Sequence, residues 1–226
     1  LGNRAEKRIV NMVQIGRALA DNIGDAGEQL DPPIKSLFVY NSDIANCTPN
    51  SGNVRKGMSR DDIFIAVHDT FWTDSCMYAD IVLPADTALE RTDCHWAYGS
   101  WYLGINKPVI EPQGESVRNT ELFRMLAEKM GYVDSTDNAF TQTDEEIIKD
   151  ILLEAENEDG ERFNCLTEGI NYDDVVKNGW ARASTNSKRR DFLNSGWATP
   201  SGKIEIKCEA ITAEYPDVSP FPEYVP

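Results

Sequence analysis

The chain has 226 residues, of which 41% are hydrophobic, 27% charged and 9% aromatic, with a mean hydropathy of -0.46. That balance is typical of a globular protein of one large or two small domains, and no apolar run approaches the roughly 18 residues of a membrane span. Lysine and arginine number 22 against 38 aspartates and glutamates, a formal charge of -16, which repels phosphate backbones and disfavours a nucleic-acid partner.

Residues 4–22 place Ile9, Met12, Val13, Gly16, Leu19 and Ala20 at the spacing of an amphipathic helix. A turn-rich connector over 22–33 leads to Ile34–Tyr40, a run of β-formers between proline and Asn41-Ser42-Asp43 that predicts a buried strand. A loop to Gly52, a helix over 53–60 and a second apolar strand over 63–67 follow, then a helical turn at 73–79 and a short strand at 81–83. Strands apolar on both faces, alternating with helices, are the pattern of a doubly wound parallel sheet, whose ligands sit beyond the carboxyl ends of the strands.

From Ala85 the rhythm changes. Trp96, Tyr98, Trp101, Tyr102 and Leu103 lead to Pro108-Val109-Ile110-Glu111-Pro112, read as irregular β structure. Helices are predicted over 118–131, with Gly131 as a C-cap, over 143–156, and over 172–179. The acidic side of the second, continuing to Glu161, reads as a solvated face. Residues 180–200 read as loop, including the basic cluster Lys188-Arg189-Arg190, and Ile204-Glu205-Ile206-Lys207 as a half-buried strand. With Leu1 in place of an initiator methionine and a proline-rich stretch from Glu214 onward, the chain is expected to be an excised piece of something longer, with an extended tail.

Several chemistries are disfavoured. The cysteines at 47, 76, 94, 165 and 208 form no Cys-x-x-Cys pair, so no metal or iron–sulfur site of local spacing is expected. Reduced, mostly buried thiols fit this scatter better than a disulfide framework and point toward the cytoplasm. No Gly-rich phosphate loop occurs, and no G-x-S-x-G elbow accompanies His68 or His95. No second carboxylate stands two residues after Asp69 to help hold magnesium, as a phosphotransfer site would need.

The two strand ends carry the candidate chemistry: Asn41-Ser42-Asp43 and His68-Asp69-Thr70-Phe71-Trp72-Thr73-Asp74. A carboxylate there accepts hydrogen bonds from guanine N1–H and N2–H, while hydroxyls and amides suit phosphate or ribose. The same residue types are also the preferred helix N-caps.

These strand ends, the block Tyr78-Ala79-Asp80-Ile81-Val82-Leu83-Pro84-Ala85, and Glu90 resemble the molybdopterin oxidoreductases of the dimethyl-sulfoxide-reductase type, which include formate dehydrogenases and nitrate reductases. Asn11–Leu19, Pro108–Glu115 and Thr199–Glu205 agree in order and spacing. The resemblance implies a partial doubly wound, Rossmann-like α/β sheet with helices on both faces, plus an irregular β and helical extension. It implies that residues 1–90 hold one guanosine arm of a bis-molybdopterin guanine dinucleotide carrying molybdenum or tungsten. Residues 91–200 are then the extension and 201–226 a strand and linker toward a further domain.

By position, Asn41 and Ser42 match the phosphate- or ribose-binding loop, Asp69 the guanine-reading carboxylate, and His68, Thr70 and Thr73 its neighbours. Asp80 and Glu90 match the family as well, Asp80 either bracing the backbone or touching cofactor. Relatives carry Asn-Pro at Asp43-Ile44 and Thr-Ala at Ser75-Cys76. No catalytic residue, metal ligand or iron–sulfur motif is expected within these residues, and the isolated chain is expected to be inactive. The implied partners are the remainder of the same catalytic subunit and an electron-transfer subunit. Two other readings stay open: a nucleotide-binding α/β module without redox chemistry, and an acidic partner-docking segment over 143–161.

Overall fold

The computed structural model describes residues 8–97, 100, 102–132, 140–153, 170, 172–182, 196–197, 199–216 and 218–223. Strand β1 (Ser36–Tyr40) pairs in parallel with β2 (Phe64–Asp69), and β2 with β3 (Ile81–Pro84), in chain order. Helices α1 (Ile15–Asp21), α2 (Ile44–Cys47) and α3 (Ser51–Met58) complete this unit. Alternation along the strands divides their side chains. Val39, Ile65 and Val67 enter a core with Leu19 of α1, Ala45 of α2, and Val54 and Met58 of α3. Phe38 and Tyr40 turn to the opposite face and meet Phe123 of α4 (Asn119–Lys129), with ring centroids 5.5 and 5.2 Å apart. Helices therefore cover both faces of the sheet, as the continuous apolar runs predict.

A second, antiparallel sheet follows: β4 (Asp93–Trp96), β5 (Tyr102–Asn106) and β6 (Trp180–Arg182). Leu103 and Ile105 of β5 pack with Ile148 and Leu152 of α5 (Asp144–Leu153) and with Tyr172 and Val175 of α6 (Tyr172–Asn178). Gly131, at φ 75°, closes α4 as expected, donating to Glu128 O while Tyr132 N donates to Ala127 O.

Local signals misplace several elements. Of the helix predicted over 4–22, residues 4–7 lie outside the described residues and 8–11 are not helical: Asn11 is extended and its side chain accepts from Val13 N, so a 3-10 turn at Met12–Gln14 and then α1 begin after it, leaving Ile9 85% exposed. A good cap sets the helix start more firmly than apolar spacing does. Helix α2 lies in a segment read as loop, and α3 begins at Ser51, not 53. Val109 and Ile110 form no strand; both amides donate to Leu89 O.

The strand predicted at 204–207 is absent. Ile204 and Ile206 are 67% and 74% exposed, because alternation without a neighbouring edge satisfies no backbone hydrogen bonds. Trp180–Arg182, read as loop, is a strand held by β5, its Trp180 ring edge-on to Tyr102. The expected extended tail begins inside helix α7 (Glu209–Glu214), and Cys208 N donates back to Pro220 O. Among the described cysteines only Cys76 is buried; Cys47 and Cys208 lie exposed at helix ends. The basic cluster at 188–190, Tyr98, Trp101, Cys165 and the acidic stretch beyond residue 153 lie outside the described residues.

Helix α3 contains Gly52 and Gly57 and has weak intrinsic propensity, so packing holds it in place. A Cβ at Gly57 would come within 2.6 Å of the Leu19 backbone carbon and 2.8 Å of Ala20 N, whereas one at Gly52 meets nothing within 4 Å. Overpacking of this kind costs about 1–3 kcal/mol. In urea unfolding, G57A is expected to lose about that much stability, and G52A to be neutral or slightly stabilised.

Candidate functional site

The parallel register, Tyr40 opposite His68 and Asp69 opposite Pro84, brings the carboxyl ends of β1 and β2 to one edge. Beyond β1, Asn41 adopts a left-handed conformation (φ 51°), which asparagine tolerates better than most residues, and its amide donates to His68 O. Asp43 then turns toward the second loop. Its Oδ1 accepts from Ser75 N at 3.0 Å and Ser75 Oγ at 2.7 Å, and Ser75 Oγ accepts from Ala45 N. The acid that departs from the family pattern is thus occupied in joining the two loops.

Beyond β2, Asp69 O accepts from Ala85 N, and Asp69 Oδ1 accepts from Phe71 N at 3.2 Å. Its other carboxylate oxygen makes no bond to the described residues. Asn41, Ser42, Asp69 and Thr70 line one open cleft of about 490 Å³, together with Asp86, Thr87 and Arg91 from the segment after β3. That volume lies in the ordinary range for small-molecule sites.

Two of the proposed residues do not line this cleft. His68 is fully buried, with Nε2 3.1 Å from Val117 O; the carbonyl can only accept, so Nε2 carries the proton. The same carbonyl accepts from Asp86 N, and Val117 N donates to Pro84 O. His68 thus ties the strand to the segment behind the cleft, its side chain facing inward because strand alternation sends neighbours His68 and Asp69 to opposite sides. Thr73 sits before the 3-10 turn Asp74–Tyr78 with Oγ1 beside Cys76 Sγ. Asp80 braces the backbone: its Oδ2 accepts from Ile65 N at 2.7 Å.

Sequence reasoning missed the far wall. Asp86 is 1% exposed, and an unpaired buried carboxylate is costly. Arg91 Nη1 donates to Asp86 Oδ1 at 2.9 Å and to Asp86 O at 3.1 Å, while Arg91 Nε donates to Asp93 Oδ2 at 2.9 Å. Burial works to lower the Arg91 pKa, but the bonds to Asp86 and Asp93 outweigh it and raise it above the ordinary value. One signal was available: Arg91 is the sole lysine or arginine between Arg60 and Lys107.

Glu90, 3% exposed, accepts from Thr87 N and Gln113 N, each at 2.6 Å, and holds the turn beneath Arg91. The Thr87 backbone amide, with the Thr87 side chain and the Gln113 amide, keeps its pKa below the usual glutamate value. Asn41 and Arg91 also border a neighbouring recess formed with Arg118, Asn119 and α5. There Asp144 is not part of a solvated face: it accepts from Arg118, Thr120 and Arg124. Burial raises its pKa, and those bonds more than reverse the shift.

The cleft thus offers an uncommitted carboxylate oxygen, hydroxyls, and one arginine at the carboxyl edge of a parallel sheet, a donor and acceptor set suited to a nucleotide. Among the described residues no cluster of three histidine, cysteine or acidic side chains could hold a metal ion, and no helix is long and apolar enough to cross a membrane.

This is an α/β protein with a polar cleft at the sheet's carboxyl edge. Residues 16–129 match the molybdopterin oxidoreductase family, and the chain belongs to that family. It is 39% identical over 219 residues to the probable oxidoreductase YoaE of Bacillus subtilis, covering 97% of this chain and 29% of that protein. It is 28% identical to the dimethyl sulfoxide reductase DmsA of Escherichia coli, over 88% of this chain and 26% of that one. The solved structure of acetylene hydratase from Pelobacter acetylenicus shares the fold at a TM-score of 0.64 and 24% identity, over 95% of this chain and 26% of that one. The chain therefore spans between a quarter and a third of the length of these relatives. Family membership implies a molybdenum or tungsten pterin cofactor.

Because Glu90 and Asp144 have lowered pKa values in the folded chain, the stability they contribute is full above the unfolded carboxylate pKa of about 4 and is lost as pH falls through their folded values. The urea midpoint is expected to be level from neutral pH down to about 5 and to fall below about 4. E90Q should lower the midpoint at neutral pH and make the acid slope shallower.

Proposed function

We propose that this chain forms one guanosine-binding wall for a bis-molybdopterin guanine dinucleotide, within the catalytic subunit of a molybdenum or tungsten oxidoreductase. The carrying observation is Asp69: a carboxylate at the tip of a buried parallel strand, with one oxygen fixed by Phe71 N and the other unspent, facing a cleft shared with Asn41, Ser42 and Thr70. A carboxylate can accept from both N1–H and N2–H of guanine, a pair of donors that adenine lacks on one edge. Asn41 and Ser42, both exposed at the neighbouring tip, supply amide and hydroxyl contacts to ribose or phosphate. His68 acts on the cofactor indirectly, by setting the backbone on which Asp69 and Thr70 stand, and Thr73 stands at the turn that follows them.

When bound, such a cofactor supplies two-electron redox or oxygen-atom transfer at its metal, and the protein supplies position and electrostatics. This chain's share is to hold the nucleotide end. Its other wall, the metal's protein ligand and any electron-transfer partner belong to other parts of the enzyme. A generic nucleotide module is the competing reading, but the cleft is open, and a half-formed site loses affinity because fewer contacts offset the cost of association. The partner-docking reading loses Asp144, which is occupied by two arginines and a threonine.

Titrating the isotope-labelled chain with GDP and following amide shifts by NMR tests the proposal. The expected result is weak binding, with shifts at Asn41, Ser42, Asp69 and Thr70, and a smaller response to ADP. D69N keeps an oxygen for Phe71 N and should reduce GDP affinity by about tenfold, the usual cost of a lost charge-assisted hydrogen bond. Equal responses to GDP and ADP, shifts elsewhere, or tight binding of free nucleotide would each count against it.

A further inference from the structure

We infer that Arg91 is a base-reading residue of the cleft, donating to the neutral acceptors of guanine, and that buried Asp86 is the positioning residue that aims it. This rests on the guanosine reading above and adds a contact which that reading does not contain. Three observations lead to it.

The first is proximity. Thr70 Oγ1 and Arg91 Nη1 both donate to the same oxygen, Asp86 O, at 3.4 and 3.1 Å. The guanidinium therefore stands no farther from the Thr70 hydroxyl than those two lengths laid end to end, and Thr70 follows Asp69 directly. Arg91 and Asp69 also line the same cleft.

The second is spare valence. Nη1 is spent on Asp86 and Nε on Asp93, whereas Nη2 makes no bond to the described residues. Arginine presents five donors on a rigid plane, so fixing two nitrogens fixes the direction of the third. Asp86, almost wholly buried, supplies that fixing from behind.

The third is charge. Asp86 and Asp93 each lie 2.9 Å from the guanidinium, so the group is already over-neutralised, and Asp69 adds another negative charge to the cleft. A diphosphate placed against Arg91 would meet net repulsion, while an uncharged acceptor would not. Guanine O6 and N7 are acceptors of that kind and are the atoms arginine most often donates to when it reads a base; with Nη1 and Nε spent, the free Nη2 donates to them alone. Asp69 as acceptor and Arg91 as donor would then read one purine from two walls.

The test compares guanosine, GDP and ADP on wild type and R91K by the same NMR titration. R91K keeps a cation against Asp86 and Asp93 but removes the guanidinium plane that aims Nη2. Guanosine and GDP should both weaken by about tenfold in R91K, with ADP unchanged. If R91K does not fold, the double variant D86N/R91Q, which replaces the buried ion pair by two amides, is measured instead and should show the same pattern. Unchanged guanosine affinity overturns the inference. So does a loss confined to GDP, which marks a phosphate contact, or an equal loss with ADP, which marks a purely structural role. A wild-type chain giving no GDP response at Asp69 overturns both this inference and the guanosine reading, whereas a normal wild-type response with an unaffected variant overturns this one alone.

Discussion

The parallel pairing of β1 with β2 is the constraint from which the cleft follows. Only a parallel register carries Tyr40 and Asp69 to the same edge, so that the loops after them face one another across a gap a ligand can enter. An antiparallel pair would send the two loops to opposite ends of the sheet. Parallel strands in turn demand long crossovers with helices over the faces, and that is the arrangement seen: α1 to α3 on one side, α4 on the other. The apolar character of β1 and β2 and the position of the polar cleft are two consequences of one packing decision.

Polar side chains do the joining, several of them buried. Asp43 with Ser75 ties the first tip to the second, Asp80 anchors the start of β2, His68 reaches Val117, and Glu90 gathers two backbone amides. The buried ones, Ser75, His68 and Glu90, would be costly if unpaired, and apart from the local Glu90–Thr87 bond these pairings connect segments 15 or more residues apart. The cleft is therefore backed by hydrogen bonds that tie its loops to neighbouring segments.

Membership in the molybdopterin oxidoreductase family gives these features a common purpose. A dinucleotide cofactor is long, and a protein that holds it must grip its ends with separate walls. On the guanosine reading proposed above, this chain, which spans 29% of its Bacillus relative, would contact a portion of such a ligand through an open cleft. Its acidic surface and single well-placed arginine fit recognition of a base better than capture of bare phosphate.

Strands at 36–40, 64–69 and 81–84 were legible in the chain because burial on both faces leaves an unbroken apolar run, a local signal. Candidates at the strand tips were legible for the same reason: the end of a run is visible in sequence, and so are Asn41, Ser42, Asp69 and Thr70 beside it. Which way a side chain faces at that tip was not. His68 and Asp69 are neighbours, yet one is buried against Val117 and the other faces the cleft, a distinction set by pleat and by a partner 49 residues away. Asp86 gave no sign in the sequence and Arg91 only its isolation among the basic residues, since their place beside the cleft depends on a loop folding back against another strand's tip. The strand at 180–182 exists only through β5, and the alternation at 204–207 failed for want of an edge to join. Sequence by itself determined the elements whose stability is local and the residue types at their ends; tertiary structure decided orientation, pairing and the far wall of the cleft, because those arise from contacts between segments that no short-range pattern encodes.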